Sequence, residues 1–412
     1  MNDHLTADTF ELDLTGMSHG GSAIGRHQGR AIFVPYGVPG DRVRVRIVQD
    51  KGRFAVAELI QVIQPAAWRI EPRCQHFGVG RCGGCQFQSI DYAKQLELKQ
   101  QTVADQLARL GGITDALVHP TIPAPQPWHY RSHVTFHVTP HGQLGFVSTD
   151  GRTILPIDEC RIMSEPLAAE FQSLRAHTFP PAARLRLQAG SSGQPVLFDM
   201  GITHDDVAEA LPSRPHHRPS PSLPAAAPVY YTLHGRTFRC SCGSFFQVNL
   251  PQAAALVQLA LDRLALTPTQ RVLDLYAGVG LFTAFIAPRV QHVDAVELFA
   301  PAVADARHNL SDYANITFRI GKIESILPRL THPIDSALVD PPRAGMDAPA
   351  LNALIHLNPR QIVYVSCDPA TLARDARRLR QAGYQLRDVQ PVDMFPQTYH
   401  IESVAHFLRP QG

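Results

Sequence analysis

The sequence predicts a multidomain protein with a small N-terminal β-barrel of the OB-like kind, a central α+β domain and a C-terminal α/β domain of Rossmann-like, doubly wound type. Three observations carry this. Short alternating strands separated by turn signals fill roughly the first sixty residues. A cysteine-bearing loop, one amphipathic helix and a second set of alternating strands follow. From Ala253 onward, apolar strands alternate with helical segments, which implies a parallel sheet covered on both faces.

In chain order, Phe10 to Leu14, Ala31 to Pro35, Arg42 to Val48 and Ala55 to Val62 read as strands around a glycine-rich turn at Met17 to Gly25. Arg42, Arg44 and Arg46 alternate with Val43 and Val45, so one face of that strand is basic and the other apolar. A short-stranded barrel with a charged outer face is one way of holding nucleic acid; a solvated strand face has the same pattern. Residues 72 to 90 are loop-like and hold Cys74, Cys82 and Cys85. Tyr92 to Leu110 has helical spacing, with Leu96, Val103, Leu107 and Leu110 on one side, and stops at Gly111-Gly112. Short strands such as Val134 to Val138 fill residues 120 to 200. The run 211–228 is rich in Pro, Ser and Ala and reads as a surface loop. Beyond it come a helix at Leu256 to Leu266 and buried strands at Arg271 to Leu275, His292 to Glu297, Ser336 to Asp340 and Gln361 to Ser366. The expected units are therefore 1–65, 66–243 and 244–412, with the 91–111 helix packed on the last of them.

A formal net charge of +2 excludes a polycation. No stretch reaches the roughly twenty apolar residues of a membrane span. Met1 to Phe10 carries Asp3 and Asp8 and no apolar core of a signal peptide. Seven cysteines, an odd number without a secreted framework spacing, point to a reducing cytoplasm, where thiols serve as ligands or nucleophiles. A monomer is expected.

The clearest turn is Asp274-Leu275-Tyr276-Ala277-Gly278-Val279-Gly280. An apolar strand ends in an acidic residue, and a glycine-bearing turn then opens a helix. Asp274 would repel a pyrophosphate, so the pattern differs from the dinucleotide fingerprint; it suits a cofactor with a cationic or hydroxyl-rich end. Glu297, at the end of the next strand, is placed to accept from ribose hydroxyls. Asp340 and Cys367 follow two further strands and reach the same sheet edge. Pro369 and a helix after Cys367 are expected to favour a thiolate through the helix dipole. Glu402 stands in a proline-interrupted loop near the C-terminus.

Together these segments resemble the RNA uracil-C5 methyltransferase family. The likeness rests on Phe245-Phe246-Gln247-Val248-Asn249, the DLYAGVG turn, Glu297, DPPRAG (340–345), SCDPATLARD (366–375) and MFPQTYHIES (394–403), and it covers nearly the whole chain. It implies a TRAM domain as the RNA-binding barrel and S-adenosylmethionine as cofactor, contacted by Gln247, Tyr276, Glu297 and Asp340. It implies Cys367 as nucleophile and Glu402 as general base, with Arg343 near the reacting base. Three positions depart from the family: Asp368 where many relatives carry asparagine, Leu281 after the glycine turn, and Lys322 at a possible adenine contact. An anionic Asp368 beside Cys367 opposes thiolate formation unless it points away.

Cys74, Cys82, Cys85 and the distant Cys160 supply four thiolates, which suit either a [4Fe–4S] cluster or a structural zinc. The resemblance favours [4Fe–4S] in a structural role. Cys240 and Cys242 read as packing. Candidate RNA grips are the Arg26 to Arg53 face, Trp128 to Arg131, and Arg374, Arg377 and Arg378. The expected reaction is formation of 5-methyluridine in 23S ribosomal RNA. The alternatives are a transfer-RNA enzyme acting in the T-loop and a non-catalytic RNA-binding iron–sulfur protein.

Overall fold

The computed structural model describes residues 9–200 and 227–410. Most of the proline-rich run (211–226) and the start of the chain (1–8) lie outside the described residues.

β1 (Thr9–Met17), β2 (Ser22–His27), β3 (Arg30–Pro35), β4 (Arg42–Asp50) and β5 (Phe54–Gln64) close into a barrel in the order β1-β2-β3-β5-β4. The period-two pattern does this: Leu12, Leu14, Val43, Val45, Ala55 and Ala57 point inward and fill the core, while Arg42, Arg44 and Arg46 point out. Those arginines are paired across the outer face, Arg42 and Arg44 with Glu11 and Arg46 with Glu58. The basic stripe is thus largely offset by its own sheet.

α1 (Tyr92–Arg109) starts at Asp91, whose side chain accepts from the Ala93 N–H. Its buried face shares only Val103 and Leu107 with the leucine stripe of the sequence. It is Gln95, Leu98, Lys99, Thr102, Val103 and Leu107, with Leu110 exposed. Gln95 and Lys99 turn inward because they bind the 393–397 segment of the C-terminal domain, and Thr102 donates to the Leu98 carbonyl.

β6 (His133–Val138), β7 (Leu144–Val147), β8 (Ile154–Pro156), α2 (Glu165–Leu174), β9 (Arg184–Gln188) and β10 (Val196–Asp199) form the central α+β unit. Its sheet runs β10-β9-β6-β7-β8. Leu167 and Phe171 of α2 pack on it, with Phe136 stacked between Phe146 and Phe171. A hairpin, β11 (Val229–Leu233) and β12 (Arg236–Cys240), packs its buried residues into the C-terminal core.

That core is built by α3 (Leu250–Leu264), β13 (Arg271–Leu275), α4 (Thr283–Ile286), β14 (His292–Glu297), α5 (Ala300–Asn309), β15 (Ile316–Ile320), α6 (Ile323–Ile326), β16 (Ser336–Val339), α7 (Ala348–Leu357), β17 (Gln361–Ser366), α8 (Pro369–Gln381), β18 (Gln385–Val392) and β19 (Glu402–Leu408). The sheet order is β15-β14-β13-β16-β17-β19-β18. β13 to β17 are parallel and read as continuous apolar runs because both faces are covered. The chain crosses over between β13 and β16, the switch point at which such sheets bind ligands. β19 alone inserts antiparallel, between β17 and β18. α1 lies against α8, and Val103 and Leu107 join the core beneath that sheet face. Among the described residues, no helix is long and apolar enough to cross a membrane.

Candidate active site and cysteine cavity

β13, β16 and β17 all end at one edge of the sheet. The turn after β13 places Tyr276 in the left-handed region at φ 63°, strain that a tyrosine rarely adopts without tertiary support. Tyr276 and Glu297 line one cleft of about 140 Å³ with Leu298, Lys322, Ile323 and Asp347. Glu297 anchors the turn: Gly278 N–H donates to its Oε2 at 2.9 Å and Phe299 N–H to its Oε1 at 2.7 Å. Each oxygen keeps a second lone pair for a ligand hydroxyl. Lys322, Ile323 and Asp347 belong to this cleft although only the first drew notice in the sequence; they sit after β15 and before α7, where no motif marks them.

Asp274 is not at the ligand surface. It is fully buried, accepts from the Thr283 hydroxyl at 2.5 Å, and leaves its Oδ1 without a hydrogen-bond partner among the described residues. Burial pushes its carboxyl up to about 7. Asp340 is likewise pushed up to about 7, by burial and by Asp274. Glu402 is 2% exposed and is raised well above the carboxylate range, by burial and then by Asp340. Glu297 adds its own field on Asp274. Four carboxyl groups therefore interact in series along the sheet edge, an arrangement that a cationic ligand would relieve.

The end of the antiparallel ladder brings Cys367 and Glu402 near each other. Ser366 of β17 faces Ser403 of β19 in the last pair of that ladder, and Cys367 and Glu402 each adjoin that pair, close enough for the Glu402 carboxyl to act on the thiol. Sequence separation is irrelevant here; hydrogen bonding between neighbouring strands fixes the approach. Cys367 is half-buried, and burial pushes its thiol up to about 12, with Glu402 and Asp340 adding to the shift and Arg343 opposing it. The expectation that the helix dipole would favour a thiolate in the resting protein is thus corrected: burial and carboxylates outweigh it. The dipole is already answered, because the first N–H groups of α8 are taken by Asp368.

Asp368 is the N-cap of α8. Its Oδ1 accepts from Ala370 N–H at 2.9 Å and Thr371 N–H at 3.0 Å. Its Oδ2 lies 3.1 Å from His19 Nε2 in the barrel. Burial would raise this carboxyl, yet His19 and the α8 N–H groups hold it down at about 2. The departure at 368 is therefore a cap and an interdomain tie.

The loop before β19 is held from α1. Lys99 donates to Asp393 Oδ1 at 2.6 Å and to the Phe395 carbonyl at 3.0 Å, and Tyr92 donates to Asp393 Oδ2 at 2.8 Å. Gln95 bridges to Gln397, donating to its Oε1 and accepting from its backbone N–H, both at 3.1 Å. These supports escaped the sequence because polar residues on a helix read as its solvent face. Arg343 reaches His400 Nδ1 at 3.0 Å, and burial, then Arg343, pushes the His400 imidazole down to about 3.

Gln247 is buried at the entry to α3, between Phe246 and Val248 of the core, and does not line the Tyr276 cleft. In two of the suggested RNA grips, one residue is engaged within the protein itself. Arg374 holds Asp375 and the carbonyls of Ala344 and Met346, fixing the loop after β16. Tyr130 is buried and donates to the Pro396 carbonyl.

Cys74, Cys82, Cys85 and Cys160 all line one cavity of about 430 Å³, with His76, Phe77, Arg131 and Phe146. Burial pushes the Cys160 thiol up to about 11 and raises Cys74, Cys82 and Cys85 too, each with further upward pressure from a neighbouring thiol or carboxylate. Among the described residues, no three His, Cys, Asp or Glu side chains converge closely enough to hold a single metal ion. Cys240 and Cys242 lie elsewhere, Cys240 buried against the Ser244 carbonyl.

The comparisons agree with this architecture. The TRAM domain matches residues 6–60, and the tRNA (uracil-5-)-methyltransferase family matches residues 232–409. An uncharacterised RNA methyltransferase of Halalkalibacterium halodurans is 32% identical, covering 97% of this chain and 96% of its own. One of Thermosynechococcus vestitus is 34% identical, over 96% and 97% respectively. The crystal structure of a Pyrococcus abyssi tRNA (uracil-54, C5)-methyltransferase with S-adenosyl-L-homocysteine shares the fold, with a TM-score of 0.72 at 24% identity over 96% of this chain and 99% of that one.

Proposed function

The chain belongs to the RNA (uracil-5-)-methyltransferase family, and from that premise we propose that it methylates C5 of a uridine in 23S ribosomal RNA from S-adenosylmethionine, with Cys367 as nucleophile and Glu402 as general base. The observation that carries the assignment is the end of the β17–β19 ladder, whose last pair, Ser366 and Ser403, adjoins both Cys367 and Glu402 at the sheet edge.

The cofactor supplies an electrophilic methyl group on a sulfonium. The Tyr276–Glu297 cleft suits its adenosine end: Glu297 accepts from hydroxyls, and Leu298 and Ile323 offer apolar contact to a base. The row of carboxyls from Asp274 to Glu402 suits a positive charge, which would lower their raised pKa values. Gln247 and Asp340 are proposed as further contacts.

Uracil C5 is a weak nucleophile. Addition of the Cys367 thiolate at C6 pushes electron density through C5 to the C4 oxygen, so that C5 can attack the methyl carbon as its bond to sulfur breaks, the sulfonium leaving as the neutral thioether S-adenosylhomocysteine. Arg343 stands near Cys367 to stabilise the developing charge. Glu402 then removes the C5 proton, and Cys367 leaves by β-elimination. Asp340 and Glu402 share one buried pocket, so ionising both is unfavourable, and Glu402 becomes an effective base once a cation offsets the pair. The target base must leave its stack to reach Cys367.

The four thiols line one cavity, and four thiolates suit a [4Fe–4S] cluster or a structural zinc; the family resemblance is the ground for choosing the cluster. Such a cluster would tie the 74–85 loop to Cys160. This arrangement, with the barrel, is the ground for preferring the ribosomal substrate; a cytoplasmic monomer is proposed with it. The matched family, described as tRNA (uracil-5-)-methyltransferase, supports a second reading, a transfer-RNA T-loop uridine.

The test is incubation of anaerobically purified protein with S-adenosylmethionine and either unmodified 23S fragments or transfer RNA, followed by digestion and mass spectrometry for 5-methyluridine. Product in ribosomal RNA alone is expected. Product in transfer RNA alone would overturn the substrate, and none in either the reaction. Retention of activity by Cys367→Ala would overturn the nucleophile.

A further inference from the structure

We propose that His19, in the first turn of the barrel, is a positioning residue for the nucleophile: by holding the Asp368 carboxylate it limits the opposition of that charge to proton loss from Cys367. This rests on the reading of Cys367 as nucleophile.

His19 and Asp368 are 349 residues apart and meet at 3.1 Å, both mostly shielded from solvent. A carboxylate held at about 2 carries no proton, so it only accepts; His19 Nε2 therefore carries the proton and donates. The other ring nitrogen, Nδ1, is buried with no hydrogen-bond partner among the described residues. The ring thus spends its one resolved polar contact on Asp368.

The turn that carries His19 is seated firmly. Gly21 has φ +80°, and a Cβ there would lie 2.8 Å from Tyr399 Cβ, so the turn touches the loop before Glu402 closely. Met17 packs with Phe87, Ile90 and Leu98, and Tyr399 borders the same cluster. The barrel thereby contributes to the catalytic edge itself.

The electrostatics give this contact a consequence. Cys367 is faced by Glu402 from β19, Asp340 from the end of β16, Asp368 from its own segment and Arg343 from the loop after β16. Three carboxyl groups oppose one guanidinium. Asp368 is in turn influenced by His19 and the α8 N–H groups, and interacts with Arg374. His400, kept neutral by burial, feels His19 as well. Of these partners only His19 comes from the barrel.

The experiment is iodoacetamide alkylation of the full-length protein without RNA, at roughly pH 8 to 10, with the rate read on the Cys367 peptide by mass spectrometry. This window lies below the raised Cys367 value, so the rate follows the thiolate fraction, and His19→Ala is expected to slow alkylation about tenfold at fixed pH. Asp368→Asn is expected to speed alkylation, and His19→Ala is expected to have no further effect in that background. His19→Gln keeps a donor and is expected to restore the parent rate. Near-UV circular dichroism reports folding. An unchanged rate in His19→Ala would overturn the proposal, as would an equal slowing in the Asp368→Asn background, which would mark a purely structural role. The nucleophile reading stands or falls separately, on methylation by Cys367→Ala.

Discussion

Replacing Lys99 by Met tests how the base is held in place. Lys99 and Asp393 are both fully buried, 2.6 Å apart. At an effective dielectric near 20 their attraction is about 6 kcal/mol, against which stands the desolvation of both charges. Burial lowers the Lys99 pKa and Asp393 pulls it back, the expected contest for such a pair. Methionine fills much of the same volume but leaves the Asp393 charge with Tyr92 as its remaining side-chain donor. Losing one partner of a buried pair costs about 3–5 kcal/mol. Domains that unfold separately blur a global measurement, so hydrogen exchange of the 393–400 amides is the suitable readout. Asp393, Gln397, Thr398 and His400 all donate hydrogen bonds in this segment. Opening of the segment should become easier by about two to nearly four decades, and methyl transfer should fall because Glu402 begins at its end. Lys99→Met/Asp393→Asn removes the stranded charge and should recover most of the loss. Unchanged protection in Lys99→Met, or a double variant as exposed as the single, would refute the reasoning.

Glu402→Gln should accumulate a covalent RNA–protein adduct, seen as a retarded band on a denaturing gel, because the elimination step lacks its base; no excess over the parent would count against that role. Gly21→Val should disturb the barrel's seat on Tyr399 and lower stability by about 1–3 kcal/mol, measured by urea unfolding, since both the positive φ and the 2.8 Å approach forbid a branched side chain. The carboxyl of Asp274 is raised from 3.8 to about 7 in the fold, so the folded state binds its proton more tightly. Stability from this group is full below the lower value and is lost as pH rises through the upper one, an upper bound of about 4 kcal/mol. Asp274→Asn should flatten the urea midpoint between those pH values, and an unaltered slope would exclude Asp274 as its source. Cys85→Ser should loosen the 74–85 loop, read as faster exchange there, while leaving S-adenosylmethionine binding by calorimetry intact; loss of both together would place the cavity's role elsewhere.

The parallel strands were legible because burial on both faces makes them plain apolar runs; β13, β14 and β17 begin and end where the pattern does. Cys367 and Glu402 could be singled out by motif, but only the antiparallel insertion of β19 explains why positions 35 residues apart in the sequence meet. The buried face of α1 is legible only at Val103 and Leu107, since a leucine stripe is the ordinary core signal and Gln95 and Lys99 imitate a solvated face. Asp368 carried its own clue: an aspartate before a proline at the first helical turn is a favoured cap. Its tie to His19 had none, as nothing local in either segment refers to the other. Arg374 looked like an RNA ligand because an arginine engaged with backbone carbonyls and one awaiting a phosphate are identical in sequence.

The seat of the barrel bears on the geometry of the substrate. A domain swinging on a linker would present bound RNA at many distances from the cleft and tolerate any spacing between the gripped and the modified nucleotide. Here the first turn of the barrel rests against Tyr399 and Asp368, one residue from the thiol. With RNA gripped on the barrel and its target uridine at Cys367, as proposed, the two would form a ruler of one length. Substrates in which nucleotides are inserted or removed between the gripped stretch and the target uridine should therefore lose methylation even when both ends keep their sequence.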